Sequence, residues 1–350
     1  MSKTYAGRFF EDFRLGETLV HATPRTVTTA DATLYLALTG QRYAHFCADE
    51  VARRHGLERS PIDDLLVFHL VFGKSVPDVS LNAVANLGYA EGRFLGAVQP
   101  GETLYARSEV IGLKANSNGT TGTVWVRTRG FAGERPVLEF VRWVMVRKRD
   151  AASPDPAPVV PELRPAVDVS DLVVPAGLVA RPDPDRLAGA AFGFDDYAVG
   201  ERIDHVDGMT VDEAEHRLAT RLYQNTAKVH FNDHAERQGR FGRCIVYGGH
   251  VISLARGLAF NGLADILHVV AINAGTHANP CFAGDTVFAW SEVLAKAPLP
   301  GRDDLGALRL RLVATKNHPC SDFPLHGPSG RYHEDVLLDF DYWALMPRGG

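Results

Sequence analysis

The sequence contains no apolar run of about 18 residues, the least that would span a bilayer as a helix. Its opening, Met1 to Phe10, lacks the apolar stretch of a secretory leader. Cysteine is scarce: Cys47, Cys244, Cys281 and Cys320 are widely separated and form no CxxC pair. That spacing argues against a disulfide framework or a zinc knuckle and suits reduced thiols in a cytoplasmic protein. Positive charge is not in excess, with 37 Lys and Arg against 42 Asp and Glu and a formal net charge of −5. Nucleic-acid binding therefore has no electrostatic footprint, and an anionic ligand would need a local basic cluster. What is present is ordinary globular material: 350 residues, 45% hydrophobic and 23% charged. That length suits two domains of about 150 residues, each able to bury a core.

The chain repeats itself. Phe10-Glu-Asp-Phe-Arg-Leu-Gly-Glu17 returns as Phe194-Asp-Asp-Tyr-Ala-Val-Gly-Glu201. His21 and Thr26-Val-Thr28 return as His205 and Thr210-Val-Asp212, and His45-Phe46 as His230-Phe231. Pro100-Gly-Glu-Thr103 matches Ala283-Gly-Asp-Thr286, and Leu138-Glu-Phe-Val-Arg-Trp143 matches Leu338-Asp-Phe-Asp-Tyr-Trp343. Anchors in one order with nearly constant offset mark a duplication. The offset grows to 200 only at the last anchor, which places an insertion around Asn317 to Glu334. Eight prolines between residues 150 and 186 predict a semi-extended connector, because proline forbids ladder hydrogen bonds and continuous helix. The expected organisation is residues 1–149, a connector over 150–189, and residues 190–350.

Each copy predicts a short strand after its Gly-Glu turn, then a helix led by capping residues over Thr28 to Thr39 or Asp212 to Tyr223. A loop with the His-Phe pair follows. Next comes a helix apolar nearly all round, through Leu65, Leu66, Phe68, Val71 and Phe72 or Val251, Leu254, Ala255 and Leu258. Only strands remain after it. A buried helix wrapped by a long antiparallel sheet is an α+β arrangement, the hot-dog unit, and two of them side by side would merge sheets.

The chemistry-bearing stretch is Asn225-Thr-Ala-Lys-Val-His230, followed by Ile245-Val-Tyr-Gly-Gly-His250 at the head of the second apolar helix. With Ala283-Gly-Asp-Thr286, it resembles the MaoC-like (R)-specific enoyl-CoA hydratase family. Over both copies, Arg25-Thr-Val-Thr-Thr and Tyr35-Leu-Ala-Leu-Thr-Gly-Gln-Arg42 add a resemblance to the two-copy mesaconyl-CoA (2-methylfumaryl-CoA) hydratase branch. The resemblance implies reversible hydration of an enoyl-CoA, with no metal or organic cofactor. It implies His230 as the catalytic histidine and Gly248 as the glycine whose N–H serves the oxyanion. Asn225 stands where the family has a catalytic Asp; a carboxamide orients water but cannot take its proton, so the base role falls to His230. The first copy offers only Gln41 and His45 with one residue fewer between them, and is expected to have lost catalysis and kept ligand binding.

For the substrate, Arg240 and Arg243 are candidates for the CoA phosphates, and Lys228 for a distal carboxylate. Ser60, Asp63, Asn86, Tyr89 and Arg93 are candidates for the acyl tunnel and its distal carboxylate. A zinc reading of His230 and His234 is disfavoured, since Phe231 stands where a zinc protease needs Glu. Rival functions are a dehydratase for a longer apolar acyl chain and a hot-dog thioesterase, because fold does not fix function. By analogy with other hot-dog proteins, a homodimer is expected.

Overall fold

The computed structural model describes residues 3–181, 188–189 and 192–348. The last stretch of the expected connector, 182–187, and the expected start of the second copy at residue 190 lie outside them.

In the first copy, β1 (Thr18–Thr26) leads to α1 (Thr29–Thr39). The helix starts where sequence predicts: Asp31 and Thr28 cap one another reciprocally, and Gly40 ends it with a left-handed φ of 64°. The apolar helix is α2 (Asp64–Val79), started by Asp63, whose carboxylate accepts from the Leu65 and Leu66 N–H groups. Strands β2 (Ala83–Phe94), β3 (Thr103–Ala115), β4 (Thr121–Ala132) and β5 (Arg135–Arg147) follow. The second copy repeats this with β6 (Arg202–Thr210), α3 (Glu213–Leu222), α4 (Gly248–Leu258), β7 (His268–His277), β8 (Thr286–Leu299), β9 (Arg302–Lys316) and β10 (Val336–Pro347). The insertion forms the loop between β9 and β10.

All ten strands join one antiparallel sheet in the order β1-β3-β4-β5-β2-β7-β10-β9-β8-β6. The copies therefore meet at β2 and β7, with Tyr89 opposite Gly275 and Arg93 opposite Ala271. Each half-sheet wraps one central helix, the double hot-dog arrangement. Corresponding residues do corresponding work. His21 bonds Ser108 at 2.7 Å through Nε2, and His205 bonds Ser291 at 2.8 Å in the same way.

The helices cross between copies with equal regularity. A Cβ at Gly73 of α2 would lie 1.9 Å from the Tyr223 carbonyl oxygen, and one at Gly257 of α4 would lie 2.3 Å from that of Thr39. Only glycine admits so close a backbone approach. Between these contacts sits Ser253, which meets His69 Nε2 at 2.8 Å and accepts from the Tyr35 hydroxyl at 2.8 Å. One continuous apolar core runs through both copies.

The connector is more than a tether. Its Val167, Leu178 and Ala180 are buried against Ala271, Leu305 and Trp343. Trp343 Nε1 donates to the Val167 carbonyl at 3.1 Å, and the Ala180 N–H donates to Asp304 at 2.8 Å. It straps the outer face of the joined sheet. Among the described residues, no helix is long and apolar enough to cross a membrane.

Candidate active site

A cavity of about 670 Å³ opens between the copies. The second copy supplies Asn225, His230, Tyr247, Gly248 and His277 to its walls; the first supplies Phe72, Val76, Asn86, Tyr89 and Arg142. Arg147, Lys228 and Arg240 also line it, and all three are exposed.

His230 closes a 3-10 turn, Lys228–His230, and is buried. Its Nδ1 lies 3.0 Å from the Ile245 carbonyl, which can only accept, so Nδ1 carries the proton. Nε2 is left with a lone pair and, among the described residues, no hydrogen-bond partner. Burial pushes the imidazole pKa down to about 4, partly offset by that carbonyl, so the ring is neutral near pH 7. Its neighbour His277 is likewise lowered to about 4, chiefly by burial. His277 Nε2 is held by the Tyr89 hydroxyl at 3.1 Å, a contact from the other copy.

Asn225 follows α3, where its own N–H donates to the Thr220 carbonyl at 3.1 Å. Its Oδ1 accepts from the Ala227 N–H at 2.9 Å, which fixes the amide's orientation because only oxygen can accept there. The group free to face a ligand is thus Nδ2, a donor. Gly248 is the first residue of α4, and the capping position, Tyr247, provides no side-chain cap. The first N–H groups of this helix have no intrahelical acceptor and sit at its partially positive end. A Cβ on Gly248 would stand 2.5 Å from His277 Cε1, so the imidazole wall itself demands glycine.

Seven expected site residues thus share one cavity: Asn225, His230, Gly248, Asn86, Tyr89, Lys228 and Arg240. Four do not line it, and each has another occupation. Ser60 donates its N–H to Asp49 at 2.9 Å, and Asp63 caps α2. Burial, then the nearby Asp64, raises the Asp63 carboxyl to about 7. Arg93 is paired with Glu139 at 3.3 Å, and Arg243 stacks on Phe282 at 3.9 Å. Sequence reasoning missed Tyr247, His277, Arg142 and Arg147. Arg142 did carry a signal: it interrupts the inward alternation Leu138, Phe140, Val144, Val146 with a charge.

The corresponding place in the first copy is filled. His45 Nε2 meets His268 Nε2 at 2.9 Å, and His268 Nδ1 meets Asp64 at 3.0 Å. Arg256 packs on Tyr43 at 3.5 Å. Among the described residues, the grouping with metal-ligand spacing is His318, His333 and Asp335, in the insertion and outside the cavity lining.

A double hot-dog whose cavity joins a neutral imidazole, a carboxamide donor and an uncapped helix start has the equipment of a hot-dog acyl-CoA hydro-lyase. The chain belongs to the mesaconyl-CoA hydratase family, whose model matches residues 2–324. It is 60% identical over 350 residues to a beta-methylmalyl-CoA dehydratase of Chloroflexus aurantiacus, covering 100% of this chain and 99% of that protein. It is 62% identical over 349 residues to a mesaconyl-CoA hydratase of Cereibacter sphaeroides, covering 99% and 100%. A MaoC domain dehydratase structure from Chloroflexus aurantiacus superposes with a TM-score of 0.98 at 59% identity, over 100% of both chains. A double hotdog protein of Mycobacterium tuberculosis gives 0.72 at 25% identity, over 98% of both.

Proposed function

We propose that this enzyme reversibly hydrates 2-methylfumaryl-CoA (mesaconyl-C1-CoA) to β-methylmalyl-CoA, with its chemistry in the second copy. The observation that carries the mechanism is the neutral His230, its free Nε2 sharing a cavity with the uncapped start of α4. The thioester oxygen is placed against the Gly248 N–H. Enolate charge developing there is stabilised by a preorganised donor at a helix start, an effect of about 3 kcal/mol per donor. Asn225 Nδ2 donates to the oxygen of a water whose proton passes to His230 Nε2. The water oxygen bonds to C3 and the alkene electrons move to the thioester oxygen; as the enolate re-forms the thioester carbonyl, C2 takes the proton back from His230 Nε2, which leaves the imidazole neutral again. Dehydration runs the same path backwards, with Asn225 supporting the departing hydroxyl.

The exposed Arg147, Lys228 and Arg240 of the cavity lining suit the CoA phosphates, as guanidinium and ammonium groups suit anionic oxygen. No step calls on a cofactor. The test is hydration of mesaconyl-CoA against crotonyl-CoA, followed by loss of the conjugated-thioester absorbance. Mesaconyl preference is expected; crotonyl preference, or release of free thiol from either ester, would remove the assignment. His230→Ala is expected to lower kcat by at least about 100-fold while ester binding persists. Self-association as a homodimer is a separate expectation, measured by sedimentation.

A further inference from the structure

Arg142 projects from β5 into the apolar interior of the first copy's half-sheet, and it is fully buried. No carboxylate pairs with it. Its Nη1 meets the Ser80 hydroxyl at 3.3 Å and its Nη2 that of Ser75 at 2.8 Å; neither brings charge. The guanidinium lies 4.2 Å from the Phe72 ring centre, and its Nε–H has no partner. The same half-sheet readily supplies acids elsewhere: Arg93, Arg127 and Arg129 are all paired with Glu139, and Arg127 also with Glu91. A buried cation without a counter-ion is costly, and folds seldom retain one that nothing uses.

Two further unsatisfied groups share the cavity wall with it. The Tyr247 hydroxyl is buried and, among the described residues, has no hydrogen-bond partner. The Asn86 amide has neither nitrogen nor oxygen engaged. Arg256 is the other buried guanidinium of this kind, but it is packed on Tyr43 and lines no part of the cavity. A cation with an unused N–H and an unused O–H on the same wall is a receptor for a carboxylate.

We infer that Arg142, with the Tyr247 hydroxyl on the same cavity wall, binds the free carboxylate of a short dicarboxylyl thioester and sets the enzyme's preference for it. This rests on reading the cavity as the hydratase site. The geometry of such a substrate fits: in 2-methylfumaryl-CoA the free carboxylate is bonded to C3, the carbon that water attacks. Its receptor must therefore share a cavity with His230, as Arg142 does. A monocarboxylic ester such as crotonyl-CoA places a methyl group there and leaves the guanidinium unanswered. Sites built around a polar partner reject an analogue that lacks it far more strongly than apolar pockets discriminate by size.

The test is calorimetric binding of succinyl-CoA and butyryl-CoA, saturated esters that cannot be hydrated, to the full-length wild type, R142M and R142K. The wild type is expected to favour succinyl-CoA by on the order of 100-fold or more. Arg142→Met removes that preference, and Arg142→Lys, which keeps the charge but not the fork, restores part of it. Retained preference in Arg142→Met, or equal weakening of both esters, would overturn the inference. If Arg142→Met does not fold, Tyr247→Phe carries the test: a roughly 10-fold loss of preference supports it, and an unchanged preference sinks it. Wild-type enzyme that prefers succinyl-CoA yet hydrates neither mesaconyl-CoA nor crotonyl-CoA would keep this inference and remove the hydratase reading.

Discussion

The two copies start their central helices in opposite ways. In the first, Asp63 caps α2, and the next residue, Asp64, receives the Val269 N–H at 2.9 Å and His268 at 3.0 Å. In the second, Tyr247 offers no cap and Gly248 no side chain. The histidines differ in step. His45 spends its Nε2 on His268, whereas His230 spends Nδ1 on the Ile245 carbonyl and keeps Nε2 for the cavity that it lines. A helix start can hold only one anion well, and the first copy has put its own there. The cap that stabilises the first helix start is missing from the second, which leaves that start open to the cavity.

The sharpest way to break this contrast is to make the active copy resemble the silent one. Gly248→Asp sets a carboxylate at the helix start and a Cβ against His277, 2.5 Å from Cε1 in the present geometry. Steady-state kinetics are expected to show kcat lowered by about 100-fold or more, the scale of losing an oxyanion donor. Asn225→Asp comes next. The new carboxylate can still accept from Ala227, but the Nδ2 donor is lost and a negative charge joins the cavity wall, favouring protonated His230. We expect roughly 10-fold slower hydration at neutral pH, and an acid limb of kcat/KM moved upward from about 4.

Acid stability should be governed by both copies together. Burial lowers the pKa of His45, His69, His205, His216, His230, His250 and His277. Unfolding restores an ordinary value near 6.5, so between that pH and about 4 the unfolded chain binds more protons. Stability is therefore expected to rise with pH through this window and to fall steeply on acidification. Urea midpoints at pH 7, 6 and 5 check it; a midpoint unchanged across them would contradict the burial of these rings as neutral groups. The smallest effect on turnover is expected from His45→Ala. It should cost about 1–3 kcal/mol of stability by unpairing His268, yet change kcat by less than about threefold.

Much of this was legible in the sequence because duplication writes each signal twice. The capped helices at Thr28 and Asp212, the apolar central helices and the antiparallel remainder all form as their patterns predict. Asn225, His230 and Gly248, read through a motif, do line one cavity. What pattern could not supply was the partner across a strand. Alternation shows which face of β2 Arg93 occupies, but not that Glu139 waits opposite it. For the same reason His277, brought to the site on β7 and held by Tyr89, left no local trace. The prolines of the connector predict extended chain and say nothing of packing: burial of Val167 and Leu178 depends on a surface formed only when the sheets join. Arg142 was the exception: its break in alternation was visible and went unread.

The pairing of β2 with β7 bears on what the two copies amount to together. The first copy furnishes Asn86, Tyr89 and Arg142 to a cavity whose imidazole belongs to the second, so the cavity exists only where both copies are present. With one sheet, one core and one cavity wall drawn from both, the repeats are arranged as the two subunits of a dimer would be, with the interface fixed by a covalent link.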